Sequence, residues 1–365
     1  ARLTIRIGLA ACLALATGCG GDGSTPAPGQ TATPAPSTPI SGEARMLSGT
    51  GEVELMHPVR SIEAVYSYGA AGERIEYSAG VDFVVEGDAI RRTAQSRIPD
   101  YATYSYQSNP DGSFTFASQP RNPPRTIQLA TYIDYRAAFA PPVVSAKPLP
   151  NAATNIVCLG DSITKAADTV AFFFRGLPDD GWCALLAQHL AGRATVTLPD
   201  TVTGFLQNAA PALTDSLGAD VDTVILAFGM NDHLLGEAGA EDFRELLNTT
   251  VQGLRAREKN VILVGFFQQN ELWDLEKPAE TTRYNAIIRD VASAQAVPFV
   301  DPLTAFKEAA PAGAPVYQHL TGDFIHHPNN YGQKIYFSLI VPYFLQGDTP
   351  ADAITGYIPG PWTSR

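Results

Sequence analysis

The chain has 365 residues, 45% of them hydrophobic and 17% charged, enough apolar side chain to bury one large core or two modest ones. Its 37 acidic against 25 basic residues leave a formal charge of −12, which argues against a nucleic-acid partner and leaves no basic surface for anionic lipid.

Residues 1–19 read as a targeting segment: Arg2 and Arg6 precede an apolar stretch from Ile7 to Ala16 that is too short to span a bilayer as a helix. The stretch ends in Leu15-Ala16-Thr17-Gly18-Cys19, which resembles a bacterial lipobox. That likeness implies lipidation at Cys19, export to the cell envelope, and membrane contact only through the lipid anchor, with plain secretion as the alternative. Residues 20–42, almost wholly Gly, Ser, Thr, Pro, Ala and Gln, have nothing to bury and read as a linker. Such a tether reaches on the order of 25–30 Å.

Residues 43–150 carry a β pattern and a proline-rich connector. Strand-like runs fall at 52–55, 63–68, 74–77, 82–85 and 113–116, with a further one at 126–135. Glu86-Gly87-Asp88 and Asn109-Pro110-Asp111-Gly112 supply the turns between them. The expectation is a small all-β sandwich, an accessory domain.

From 151 to 347 the pattern alternates. Short apolar runs at 155–159, 194–198, 223–228, 261–266 and 297–300 read as buried strands. Between them, 241–258 places Phe243, Leu246, Leu247, Val251 and Leu254 on one helical stripe, and 280–295 does so with Tyr284, Ile287, Ile288 and Val291. Five strands alternating with helices predict a parallel α/β/α sheet with right-handed crossovers, the active residues gathering at the strands' carboxyl ends. Residues 348–365 read as a C-terminal tail.

Those ends carry a set of groups with one chemistry in common. The first strand stops at Gly160-Asp161-Ser162, where glycine allows a sharp turn and delivers the serine to the sheet edge. After the third strand comes Gly229-Met230-Asn231-Asp232, and later Asp323-Phe324-Ile325-His326-His327-Pro328. A serine needs an imidazole base, the imidazole needs a carboxylate, and acyl transfer needs donors where the oxyanion forms, for which an Asn carboxamide serves.

On these blocks, in this order, the chain resembles the SGNH (GDSL-type) hydrolase family over roughly residues 150–345. The resemblance implies a flavodoxin-like hydrolase in which Ser162 attacks an ester, His327 is general base and then general acid, and Asp323 orients it. It also implies an oxyanion hole from the Ser162 amide, the Gly204 amide and the Asn231 side chain. Family members with accessory β domains look like carbohydrate esterases, so a short acyl group, acetyl foremost, on a polysaccharide is the implied substrate. A small ester or lipid, and a non-catalytic glycan-binding surface lipoprotein, are the alternatives.

Two histidines follow Asp323. Pro328 disfavours the α region for the residue before it and suits a helix start, which favours His327 as the base; His326, three places from Asp323, is the alternative. His233 is a candidate substrate contact, whereas His57, His189 and His319 have no partner in view. No histidine pair is spaced for zinc, and there is no Cys-x-x-Cys and no phosphate-cradling glycine loop, so neither metal nor cofactor is expected. Cys158 and Cys183 are either a disulfide or two buried thiols, and Phe172-Phe173-Phe174 suits either an acyl pocket or a buried helix face.

Overall fold

The computed structural model describes residues 35–104, 109–113, 126–199, 204–215 and 217–364. Most of the strand expected at 113–116 lies outside them.

The amino-terminal region is antiparallel. Strands β1 (Thr38–Met46), β2 (Val53–Glu54), β3 (Val59–Tyr68), β4 (Arg74–Glu76), β5 (Phe83–Glu86), β6 (Ala89–Arg92) and β7 (Ala130–Ala137, after the helical turn α1, Thr126–Leu129) form two sheets, ordered β1-β7-β3-β4 and β2-β6-β5. Alternation gives the larger sheet two apolar faces. Ile40, Val65, Ile133 and Tyr135 pack with Leu55, Phe83 and Ile90, while Ala44, Met46, Tyr66 and Tyr132 join the core of the following α/β region. The β region therefore shares a core with its neighbour. β1 begins inside the stretch read as a linker. Its Pro39 is tolerated because β1 is an edge strand, and a bulge between Ile40 and Glu43 accommodates Ser41-Gly42. Within β1, buried Glu43 pairs with buried Arg45 at 2.5 Å and accepts bonds from the Met56 amide at 2.8 Å and the Tyr135 hydroxyl at 2.6 Å. Such satisfaction is what a buried ion pair requires.

The second region is a five-stranded parallel sheet, ordered β10-β9-β11-β12-β13, from β9 (Asn155–Gly160), β10 (Thr195–Thr197), β11 (Thr223–Ala227), β12 (Asn260–Val264) and β13 (Phe299–Val300). β11 and β12 are buried at every position, which explains their unbroken apolar runs. Helices α4 (Leu206–Asp215), α5 (Gly236–Ala256) and α6 (Pro278–Ala294) pack side by side; α3 (Trp182–His189), α7 (Pro302–Ala309) and α9 (Asn330–Ile340) form a second group, with α2 (Val170–Arg175) and α8 (Val316–Leu320) as short connectors. The sheet and its helices have the α/β/α architecture expected from the sequence. Phe243, Leu247, Val251 and Leu254 of α5 and Tyr284, Ile287, Ile288 and Val291 of α6 are all buried, as their spacing requires.

The segment 348–365 is not a loose tail over its described length. β14 (Thr349–Pro350) pairs with β8 (Val143–Val144), and Ala351, Ile354, Tyr357, Ile358 and Trp362 are buried in the shared core.

Strand order places β9 between β10 and β11, so the chain leaves β9 first to one side and then to the other. The crevice opened there at the carboxyl ends is where such sheets hold ligands. Cys158 on β9 and Cys183 on α3 form a disulfide, their Cα atoms 6.3 Å apart and 25 residues apart in sequence. By loop-closure entropy this bond should stabilise the fold by about 3 kcal/mol. Urea denaturation with and without a thiol reductant checks this: a loss of that size is expected, and an unchanged midpoint with both thiols titrating free would contradict it.

Candidate active site

The serine turn begins where β9 ends. A Cβ on Gly160 would lie 2.6 Å from the Ala227 carbonyl and collide with Thr164, so only glycine lets β9 and β11 close here. Beyond it the chain runs through an irregular turn in which Asp161 is wholly buried and its Oδ1 accepts from the Ile163 amide at 2.9 Å. Burial pushes the Asp161 carboxyl up to about 7, against the opposing pull of the Ile163 amide and of His327. Gln333 of α9 fixes this turn from outside: its Nε2 donates to the Ile163 carbonyl at 3.0 Å and its Oε1 accepts from the Trp182 amide at 3.1 Å.

Ser162 Oγ lies 2.8 Å from His327 Nε2. On the other side of the ring, His327 Nδ1 is 2.9 Å from Asp323 Oδ2. The loop that carries both residues is built around the other oxygen of the same carboxylate. Asp323 Oδ1 accepts from the amides of Ile325, His326 and His327 at 2.8, 2.9 and 3.0 Å, a convergence that holds Phe324 in the left-handed region with φ 65°. That conformation is rare for a bulky residue, and the three amide bonds are what hold it. Asn329 then caps α9 through the amides of Tyr331 and Gly332, each at 3.1 Å.

The third loop supplies Asn231. Gly204, two residues before α4, lies beside it, so that a Cβ there would sit 3.5 Å from Asn231 Nδ2. Asp232 joins the two loops: its carboxylate accepts from the Leu206 amide at 3.0 Å and the Gly229 amide at 3.1 Å. Burial raises its carboxyl to about 6, against those two bonds. The structure thus brings Ser162, His327 and Asp323 into one line and sets Gly204 next to Asn231.

The alternative base stands elsewhere. His326 stacks on Trp273, ring centroids 5.0 Å apart, and its Nδ1 is 3.7 Å from Asp323 Oδ2. Burial, reinforced by the charges of His327 and His233, drives His326 well below the ordinary histidine range. His233 is buried completely; its Nδ1 faces the Met230 carbonyl and its Nε2 lies 3.2 Å from Glu276 Oε2. Glu276 is held by Gln268 and Thr281, which makes His233 part of a closed network under the Asn231 loop rather than a group presented to substrate. Phe174, from the triple phenylalanine run, packs against Gly72 of the β region. His319 is likewise structural, accepting at Nδ1 from the Met46 amide at 3.0 Å.

One residue escaped the sequence reading. Asp168 Oδ2 lies 2.6 Å from His327 Nδ1, so two carboxylates reach the same nitrogen. Burial lowers His327, but the charge of Asp323 and the bonds to Asp168 and Asp323 outweigh it and raise the imidazole to about 10. Among the described residues, Asp323, His326 and His327 also lie close enough to hold a metal ion, but the first and third are committed to the line that ends at Ser162. A cleft of about 370 Å³ lined by Asn151, Lys259 and Pro298 opens by the amino-terminal ends of the strands, away from this chemistry.

Residues 158–335 match the GDSL-like lipase/acylhydrolase family. No curated protein matches the chain. Solved structures similar to it include LAE5, an alpha/beta hydrolase enzyme from the metagenome of Lake Arreo, Spain, at 24% identity over 53% of this chain and 95% of that one, with a TM-score of 0.42. A catalytic mutant of Axe2, an acetylxylan esterase from Geobacillus stearothermophilus, is 18% identical over 52% and 94%, with a TM-score of 0.41. A member of the lipolytic protein G-D-S-L family from Veillonella parvula is 19% identical over 53% and 100%, with a TM-score of 0.42. The family match spans the serine turn, the Asn231 loop and the Asp323 to His327 loop, so that residues 158–335 resemble the GDSL-like lipase/acylhydrolases, and the protein is an ester-hydrolysing enzyme.

Proposed function

We propose that the protein is an exported serine esterase that removes short acyl groups, acetyl foremost, from a polysaccharide. The observation that carries the catalytic part is the continuous line from Asp323 through His327 to Ser162, at 2.9 and 2.8 Å. In the starting state the Nδ1 proton faces carboxylate, so Nε2 is free to accept the Ser162 proton as Oγ attacks the ester carbon. The tetrahedral oxyanion is held by the Ser162 and Gly204 amides and by Asn231 Nδ2. His327 then donates its proton to the departing sugar hydroxyl, leaving an acyl-enzyme. Water, deprotonated by the same nitrogen, releases the acid and regenerates Ser162.

The substrate part rests on the β region. Tyr101 and Tyr104, both half-buried, stack at 6.0 Å, and their rings lie 5.8 and 5.1 Å from that of Phe324, the residue next to Asp323. Aromatic faces with polar tips against the loop that carries Asp323 and His327 suit a ring that is apolar on its faces and hydroxylated at its rim. The leader-like segment 1–19, with Cys19, supports export and envelope anchoring.

A second reading has its own observation. Leu235, Leu272 and Leu275, 48, 40 and 49% exposed, lie on the chain following β11 and β12 and give a lipid-like acyl chain apolar surface to cover. Chain-length dependence separates the two, because each fully buried methylene adds about 0.8 kcal/mol, close to fourfold in kcat/KM. Acetyl esters should exceed octanoyl and palmitoyl esters, with acetate released from an acetylated polysaccharide. Specificity climbing steadily to octanoate, with no acetate released from any polysaccharide, would replace this reading with the lipid one.

The site makes its own predictions. Ser162→Ala should fold and lose activity by about three orders of magnitude or more. His327→Ala should abolish turnover, whereas His326→Ala, acting through the Trp273 stack, should cost much less; the opposite ranking in kcat would move the base. Asn231→Ala should lower kcat about a hundredfold at nearly constant KM, since its bond to oxygen forms fully only in the transition state.

A further inference from the structure

Asp168 has no place in the serine-histidine-aspartate scheme, yet it makes the shorter of the two contacts to His327 Nδ1, 2.6 Å against 2.9 Å for Asp323. Its position is not incidental. The chain holds it in the left-handed region with φ 60°, a conformation uncommon outside glycine that points to function when the surroundings enforce it. They do so here. On one side the carbonyl of Asp168 abuts Gly322, the residue before Asp323, so closely that any Cβ at 322 would run into it. On the other, Thr169 caps α2 through the Phe172 amide at 3.3 Å, and the Val170 amide donates to Asn330 Oδ1 at 2.8 Å. The segment after the serine turn is thus held against the histidine loop at Asp168 itself and against the start of α9 at Val170.

The two carboxylates differ in their other duties. Asp323 spends Oδ1 on three backbone amides and is buried, whereas the Asp168 side chain is 30% exposed. We propose that Asp168 is a second positioning carboxylate of the catalytic histidine: it shares the Nδ1 proton with Asp323 and sets the pH range over which His327 can act as a base. This rests on the serine-esterase reading of the same site.

The remaining titratable groups around the ring are accounted for. His326, on the same loop with its ring 4.0 Å from that of His327, is held neutral by burial. Asp161 lies behind the serine turn and is pushed up by burial, and Asp232 and His233, on the loop after β11, are bound to the Leu206 and Gly229 amides and to Glu276. The direction of the effect follows from charge. Two carboxylates favour the imidazolium, His327 stands near 10 rather than 6.5, and the base form needed for attack is lost as pH falls through that value. The wild-type enzyme should therefore gain kcat/KM with pH well into the alkaline range.

Asn suits the left-handed backbone and matches Asp in shape, so Asp168→Asn preserves the fold while removing the charge. The experiment titrates the His327 ring by NMR in the wild type and in Asp168→Asn, alongside the pH profile of kcat/KM. The expected result is a His327 midpoint lowered by about one unit or more, with the acid limb of kcat/KM moving by the same amount. An unchanged midpoint in a folded variant overturns the inference. If the ring titration shifts but neither protein hydrolyses esters, the esterase reading fails and the pairing stands; if esters are hydrolysed and neither midpoint moves, the pairing fails alone.

Discussion

Ser162 and His327 stand 165 residues apart in sequence and 2.8 Å apart in space, and most of the α/β region serves to hold that hydrogen bond. A bond of this kind tolerates little error, because a displacement of about 1 Å costs roughly a hundredfold in rate. Rigid elements fix both ends. The serine leaves an inner strand of the sheet, flanked by β10 and β11, and Gln333, on the helix that follows the histidine, bonds both the serine turn and the start of α3. One side chain of the helix after His327 thus ties the Ser162 turn to the disulfide-bearing helix, while the disulfide fixes α3 to β9 independently.

Electrostatics follows the same division of labour. Buried carboxylates surround the site, but each has a different use: Asp232 joins the Asn231 and Gly204 loops, Asp161 braces the serine turn, and Asp323 both shapes its loop and faces the histidine. Removing a buried carboxylate that accepts two or three amides leaves those donors unpaired, about 1–3 kcal/mol each, so these residues are structural and chemical at once. Asp168 differs because no amide depends on it among the contacts described.

Much of this was legible in the chain. The inner strands β9, β11 and β12 announce themselves as apolar runs because both of their faces are covered, and Ser162, Asn231 and Asp323 with His327 stand directly after such runs or beside a proline-set helix start. The choice of His327 over His326 followed from Pro328, and the structure sets His327 rather than His326 against Ser162. What stayed hidden has a common cause, dependence on distant partners. β1 looks like linker because Thr38, Pro39, Ser41 and Gly42 have no strand pattern of their own; pairing with β7 makes it one. Residues 348–364 look like a tail because Pro and Gly interrupt them, yet their apolar side chains fill the shared core. Asp168 sits in an irregular turn without a motif, and only the approach of Gly322 aims it at the histidine. His233, read as a candidate substrate contact, is enclosed by Glu276, a partner 43 residues away.

In the proposed reaction, acyl transfer passes through Ser162. Reaction of the whole protein with a serine-directed fluorophosphonate, followed by proteolysis and mass spectrometry, reads this directly. One adduct per chain is expected, on the peptide containing Ser162, forming faster as pH rises and not forming in His327→Ala. Adducts on another serine, or labelling indifferent to His327, would contradict it.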